Sequence, residues 1–151
     1  MDAGVPLLLR RPDSAFTLAN FMRANIYSAF ATLAMGLEIL RKENVAVNTL
    51  LGHGGIFKTP GVAQRYLAAA AGAPVTCMET AGEGGSYGMA LLAAYRLHRA
   101  DGEALAAYLN RCVFADAQST TLFPDPAEQS GFAAFLTQYQ TALKAERAVV
   151  K

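Results

Sequence analysis

Apolar positions recur every three or four residues at Phe21, Met22, Tyr27, Phe30, Leu33, Ala34, Leu37 and Leu40. This 3.6-residue period predicts one long amphipathic helix. Thr17, followed by Asn20, opens it, and Arg41-Lys42 suit the negative end of its dipole. Gly36 weakens such a helix by about 1 kcal/mol relative to Ala, and a close contact with neighbouring backbone is one reason to tolerate it. The pattern then changes. Val45–Leu51 is β-branched, apolar and free of breakers, which predicts a strand. After Gly52-His53-Gly54-Gly55, the pair Thr59-Pro60 combines a capping side chain with a proline suited to the first helical position. That predicts a helix over Gly61–Ala71, stopped by Gly72 with Pro74 beyond it. Pro74–Met78 is the second predicted strand, followed by the second glycine turn, Gly82-Glu83-Gly84-Gly85. A helix from about Ser86 to Arg99 ends at the turn dipeptide Asp101-Gly102. A shorter helix runs from about Glu103 to Asn110, and Arg111–Pro124 reads as a loop. Asp125-Pro126-Ala127-Glu128 repeats the cap-then-proline signal, with Glu128 placed to close a capping box. The helix it opens carries Phe132, Phe135, Leu136, Tyr139 and Leu143 on one face. Met1–Pro12, with Pro6 and Pro12, reads as an arm.

Strand, glycine turn and helix, twice over, indicate an α/β fold with few strands and several packed helices. Two strands are too few for an independent sheet beside this many helices. The chain is therefore expected either to self-associate, as a homo-oligomer, or to be the tail of a longer protein. With 151 residues, 53% hydrophobic and 17% charged, it has the composition of a tightly packed domain, or a piece of one, and not of a disordered segment. A net charge of +1 with scattered Lys and Arg leaves no electrostatic footprint for nucleic acid. Apolar runs are too short and interrupted to span a membrane, and the first residues lack a signal-peptide pattern. Cys77 and Cys112 fit reduced thiols better than a disulfide framework, so a cytoplasmic protein is the expectation.

The candidate chemistry centres on the two glycine turns. Glycine lets backbone approach a ligand closely, and such turns lie where open α/β sheets bind ligands. Gly84-Gly85-Ser86-Tyr87-Gly88 matches G-x-S-x-G, and His53-Gly54-Gly55 resembles an oxyanion-hole loop. A serine hydrolase then needs an acid and afterwards a histidine downstream of Ser86. Only His98 follows Ser86, twelve residues on, and no histidine follows a later acid. Residues 79–83 also separate the serine from the strand. His53, His98, Cys77 and Cys112 never fall at metal-ligand spacing. No G-K-[ST] follows either turn, and neither completes a G-x-G-x-x-G dinucleotide fingerprint.

The stretch GHGGIFKTPGVAQRYLAAAAGAPVTCMETAGEGGSYGMALLAAY resembles the C-terminal domain of the FGGY carbohydrate kinases, in particular the xylulokinase-like branch. The likeness lies in Leu50-Leu51, Gly54-Gly55, Gln64, Pro74-Val75, Glu83 and the run from Gly88 to Ala93. The tail from Cys112 onward is similar to that branch as well. What the resemblance implies is one half of an actin-like, ribonuclease-H-like ATPase fold, in which two domains close over ATP and a sugar. The first turn then looks like the family's adenosine motif. Gly54 and Gly55 lie against purine and ribose, Ile56 beside the adenine, and Thr59 where a polar residue reaches the base. The helix after the second turn, with Gly88 and Ala90, looks like the family's connecting motif, packed against a counterpart at the hinge. Glu83 has two open readings, as an orienting group for its turn or as a solvated capping carboxylate.

The resemblance also implies what this chain does not supply. The partner is an N-terminal kinase domain of the same protein with the sugar pocket, the phosphate-binding hairpin and the aspartate base. None of Asp13, Asp101, Asp116 or Asp125 matches that base, and the second phosphate loop is expected upstream of Met1. The chain itself is thus expected to offer no catalytic and no metal-binding residue. It would contribute adenosine contacts, with ATP and Mg²⁺ acting in the full-length parent on a ketopentose such as D-xylulose. A non-catalytic regulatory or scaffolding module that keeps the ATPase half-fold is the alternative.

Overall fold

The computed structural model describes residues 7–149, so the first half of the predicted arm, with Pro6, lies outside the described residues. The chain forms two compact units. One takes in the residues up to Ala46, Ala69–Gly72 and the residues from Pro124 onward; the other comprises Val47–Ala68 and Ala73–Phe123.

The first unit is built on two long helices, α1 (Leu18–Lys42) and α5 (Pro126–Val149). Thr17 Oγ1 accepts the Asn20 N–H at 3.2 Å, which satisfies one of the donors a helix start leaves free. At the other end Asn44 takes φ 58°. Its N–H bonds to Arg41 O and the Val45 N–H to Leu40 O, the paired bonds of a Schellman stop. Asp125 Oδ1 caps α5 by accepting from the Glu128 N–H at 2.9 Å. The Glu128 carboxylate takes a hydrogen bond from Tyr27 Oη at 3.0 Å, which ties the first turn of α5 to α1. Phe132 meets the Tyr27 ring edge-on at 5.1 Å, and Phe135 meets it at 5.3 Å. Only part of the predicted apolar face of α1 is buried. Tyr27, Phe30, Ala31, Ala34 and Leu37 are covered, while Phe21, Met22, Leu33 and Leu40 remain exposed. Gly36 lies on the open side with nothing within 4 Å of a notional Cβ, so the close backbone contact expected there does not occur.

The second unit holds a three-stranded sheet in the order β1-β2-β3. β1 (Leu50–Leu51) runs parallel to β2 (Val75–Met78), with Leu50 opposite Val75. β3 (Ser119–Leu122) is antiparallel to β2, pairing Leu122 with Val75 and Ser119 with Met78. β3 corrects the expectation of a loop over Arg111–Pro124. It is short and exposed, and its one local signal is the β-branched pair Thr120-Thr121. The strand expected over Val45–Leu51 shrinks to two residues, because β2 pairs with it only at Leu50 and Leu51. α2 (Val62–Ala71) belongs to this unit as far as Ala68, and Val75 is fully buried. α3 (Gly84–His98) and α4 (Leu105–Cys112) are joined by the Asp101-Gly102 turn, where Gly102 has φ 72°. Tyr95 Oη donates to Glu103 O at 2.6 Å, and the Tyr95 and Tyr108 rings meet at 5.4 Å. Five helices and a small sheet make the described chain a mixed α/β protein. Among the described residues no helix is long and apolar enough to cross a membrane.

Candidate functional site

β1 and β2 are parallel, so both release the chain at the same end of the sheet, and each is followed by a glycine turn. Gly52 is buried beneath the first turn. A Cβ there would fall 2.6 Å from the Phe57 ring and 2.8 Å from Cys77 Sγ. Gly54 has φ 111° and ψ 174°, backbone open in practice only to glycine. Its N–H donates to Ala81 O at 2.7 Å and its carbonyl accepts from Phe57 N–H at 3.0 Å. Gly54→Ala is accordingly expected to lower stability by about 1–3 kcal/mol, measured by urea unfolding. Loss of less than half that would show that the turn relaxes freely.

Beyond Gly54 the chain winds as a 3₁₀ helix over Gly55–Lys58. Thr59-Pro60 does not open α2 as its letters suggest. Gly61 has φ 76°, outside helical space, so Thr59 to Gly61 form a turn and α2 starts at Val62. The second turn also differs from expectation. A 3₁₀ helix over Glu79–Glu83 leads straight into α3, so Gly84 and Gly85 lie in its first turn.

The two turns rest on each other. A Cβ at Gly84 would lie 2.9 Å from His53 Cβ, and one at Gly82 would lie 3.0 Å from Lys58 Cγ. Lys58 Nζ reaches Glu83 Oε1 at 2.6 Å. That assigns Glu83, left with two readings by the sequence, as a partner of the first turn. Beside them lies a hollow of about 720 Å³ lined by Lys58, Thr59, Gln64, Cys77, Glu83 and Thr120 among others. Of the four expected adenosine contacts, Thr59 lines this hollow, while Gly54, Gly55 and Ile56 do not. Gly55, Ile56 and Thr59 are exposed on the turn. Nothing stands within 4 Å of a notional Cβ at Gly55, and Ile56 is 42% exposed.

The family model described as the FGGY family of carbohydrate kinases, C-terminal domain, matches residues 1–97. The chain belongs to the FGGY family of carbohydrate kinases. The matched residues contain α1, β1, β2, α2 and both glycine turns, so the turns described above are features of an FGGY domain. The tail from Cys112, which sequence likeness relates to the xylulokinase-like branch, lies beyond the match. Neither a curated protein nor a solved structure matches the chain.

Sequence reading missed one structural role in this FGGY domain. Gln64 is 3% exposed, and its Nε2 donates to both Val75 O and Thr120 O at 2.8 Å. Thr120 Oγ1 donates back to Gln64 Oε1 at 3.3 Å. A single amide thus bridges β2 and β3 from α2. The signal available was a polar residue on the apolar side of a short helix.

The serine-hydrolase reading fails on geometry. Ser86 follows a 3₁₀ helix and not a strand, and its Oγ donates to Glu83 O at 3.2 Å within the first turn of α3. Burial pushes the Cys77 thiol upward, against a smaller opposing contribution from the Gly52 backbone, so it stays protonated near neutral pH. Among the described residues, no three His, Cys, Asp or Glu side chains group to hold a metal. The packing expected around Gly88 and Ala90 has no counterpart within the described chain. α3 buries no residue fully, Gly88 has nothing within 4 Å of a notional Cβ, and Ala90 is exposed.

Proposed function

We propose that this FGGY domain is the nucleotide-binding half of an ATP-dependent sugar kinase of the xylulokinase-like branch, acting on a ketopentose such as D-xylulose. What carries the reading is the turn after β1: Cβ-free backbone at Gly54 and Gly55, with open space at Gly55. Such a turn can lie flat against a purine and its ribose. Ile56 offers an exposed apolar contact for the base, and the Thr59 hydroxyl a polar one. ATP with Mg²⁺ supplies the phosphoryl group, and its transfer depends mainly on positioning. In this proposal an N-terminal domain of the same protein holds the sugar and provides the aspartate that takes the hydroxyl proton. The exposed apolar residues of this domain meet that partner or a second copy of the chain.

Gly55 offers a clean test. Its φ is not positive and no neighbour crowds it, so a side chain at this position leaves the fold intact. Gly55→Val in the full-length kinase is expected to weaken adenine-nucleotide binding about tenfold or more, equivalent to about 1.4 kcal/mol, with sugar affinity unchanged. Calorimetric titration of an ATP analogue measures it. Equal nucleotide affinity in a correctly folded variant would place the adenosine site elsewhere.

A further inference from the structure

Two glycines of the second turn make room for the first turn. At Gly82 the missing Cβ leaves the path along which the Lys58 side chain crosses to Glu83. At Gly84 it lets the α3 start close on His53. Between these contacts runs the Gly54 N–H to Ala81 O hydrogen bond, with Ala81 itself buried. The first turn is therefore held by a backbone bond at one end and by the Lys58–Glu83 ion pair at the other. Lys58 and Glu83 are 60% and 64% exposed, so their pair adds little to global stability. What it can do is geometric. Lys58 ends the 3₁₀ helix that carries Gly55 and Ile56, and Thr59 follows it directly.

Resting on the nucleotide-binding reading above, we propose that Lys58 and Glu83 are positioning residues: their ion pair clasps the first glycine turn to the start of α3 and holds Gly55, Ile56 and Thr59 in the arrangement that accepts the adenosine moiety. Binding at the first turn is thereby coupled to α3, because a shift of α3 loosens the clasp and a loosened clasp frees the turn.

Charge exchange tests this. In the full-length protein, Lys58→Glu sets two carboxylates face to face, and Glu83→Lys sets two ammonium groups face to face. Each single variant is expected to weaken binding of an ATP analogue about fivefold or more, the lower range of coupling between sites. The double exchange Lys58→Glu with Glu83→Lys restores the opposite charges and with them most of the affinity. Thermal midpoints of all three stay close to the parent, and amide exchange at Gly54 quickens in the single variants only. A lysine that instead touches a phosphate directly would give a different pattern, with Glu83→Lys harmless and the double exchange unrescued, and that pattern overturns the clasp. So does parental affinity in both single variants, or a fall in thermal midpoint that tracks the loss of affinity. Failure of the parent protein to bind the analogue removes the nucleotide reading and the clasp together, whereas a binding parent with unaffected single variants removes the clasp alone.

Discussion

Gln64→Leu is expected to lower unfolding stability by about 1–3 kcal/mol, although the substitution keeps much of the side chain's bulk. Gln64 Nε2 supplies a donor to Val75 O and another to Thr120 O, and the leucine supplies neither. Each lost bond costs only its net worth, about 0.5–1.5 kcal/mol, because both carbonyls belong to paired residues of the β2–β3 ladder and Thr120 is exposed. The damage should be local first. Among the described residues β3 has β2 alone as a strand neighbour, and the Gln64 bridge fastens it to α2. Amide exchange across Ser119–Leu122 is therefore expected to quicken more than exchange in α1, and urea unfolding gives the total. A change below about 1 kcal/mol would mean that water or a rotated side chain satisfies both carbonyls.

Phe132→Ala is expected to cost about 3–5 kcal/mol, the range for emptying a buried aromatic site. Phe132 is 3% exposed and sits edge-on to Tyr27 where α5 crosses α1. Its removal takes away the ring contact with Tyr27 and leaves a cavity beside the Tyr27–Glu128 hydrogen bond. Phe123, 73% exposed, is the control, and its alanine variant should stay within about 0.5 kcal/mol of the parent. Because α5 lies beyond the residues matched to the family, this pair of variants also tests whether the α1–α5 contact is integral to the chain's stability. Equal stability of the two variants would show that α5 is an appendage.

Features set by neighbouring residues were legible before the fold. Thr17 caps α1 and Asp125 caps α5 because a capping oxygen reaches N–H groups only two or three residues away. Gly72, at φ 64°, stops α2 for an equally local reason, since a left-handed residue ends a helix wherever it falls. The glycine turns after β1 and β2 were likewise visible, and with them the family and the place to look for a site. Other features depended on partners distant in sequence. β3 exists because β2 and Gln64 take up its hydrogen bonds, and nothing in Ser119–Leu122 alone demands a strand. β1 is short because its pairing to β2 ends after two residues, whatever its β-branched run would permit. Thr59-Pro60 carried a sound helix signal that Gly61 overrode through its positive φ. Most of all, tertiary structure divided the glycines by role. Gly54 answers a backbone conformation, Gly82 and Gly84 make room for Lys58 and His53, and Gly55 answers no demand within the described chain. Composition could not make that division, because a missing Cβ has no meaning until its neighbour across the fold is known. Lys58 and Glu83 are 25 positions apart, and only the meeting of the two turns brings their charges within 2.6 Å.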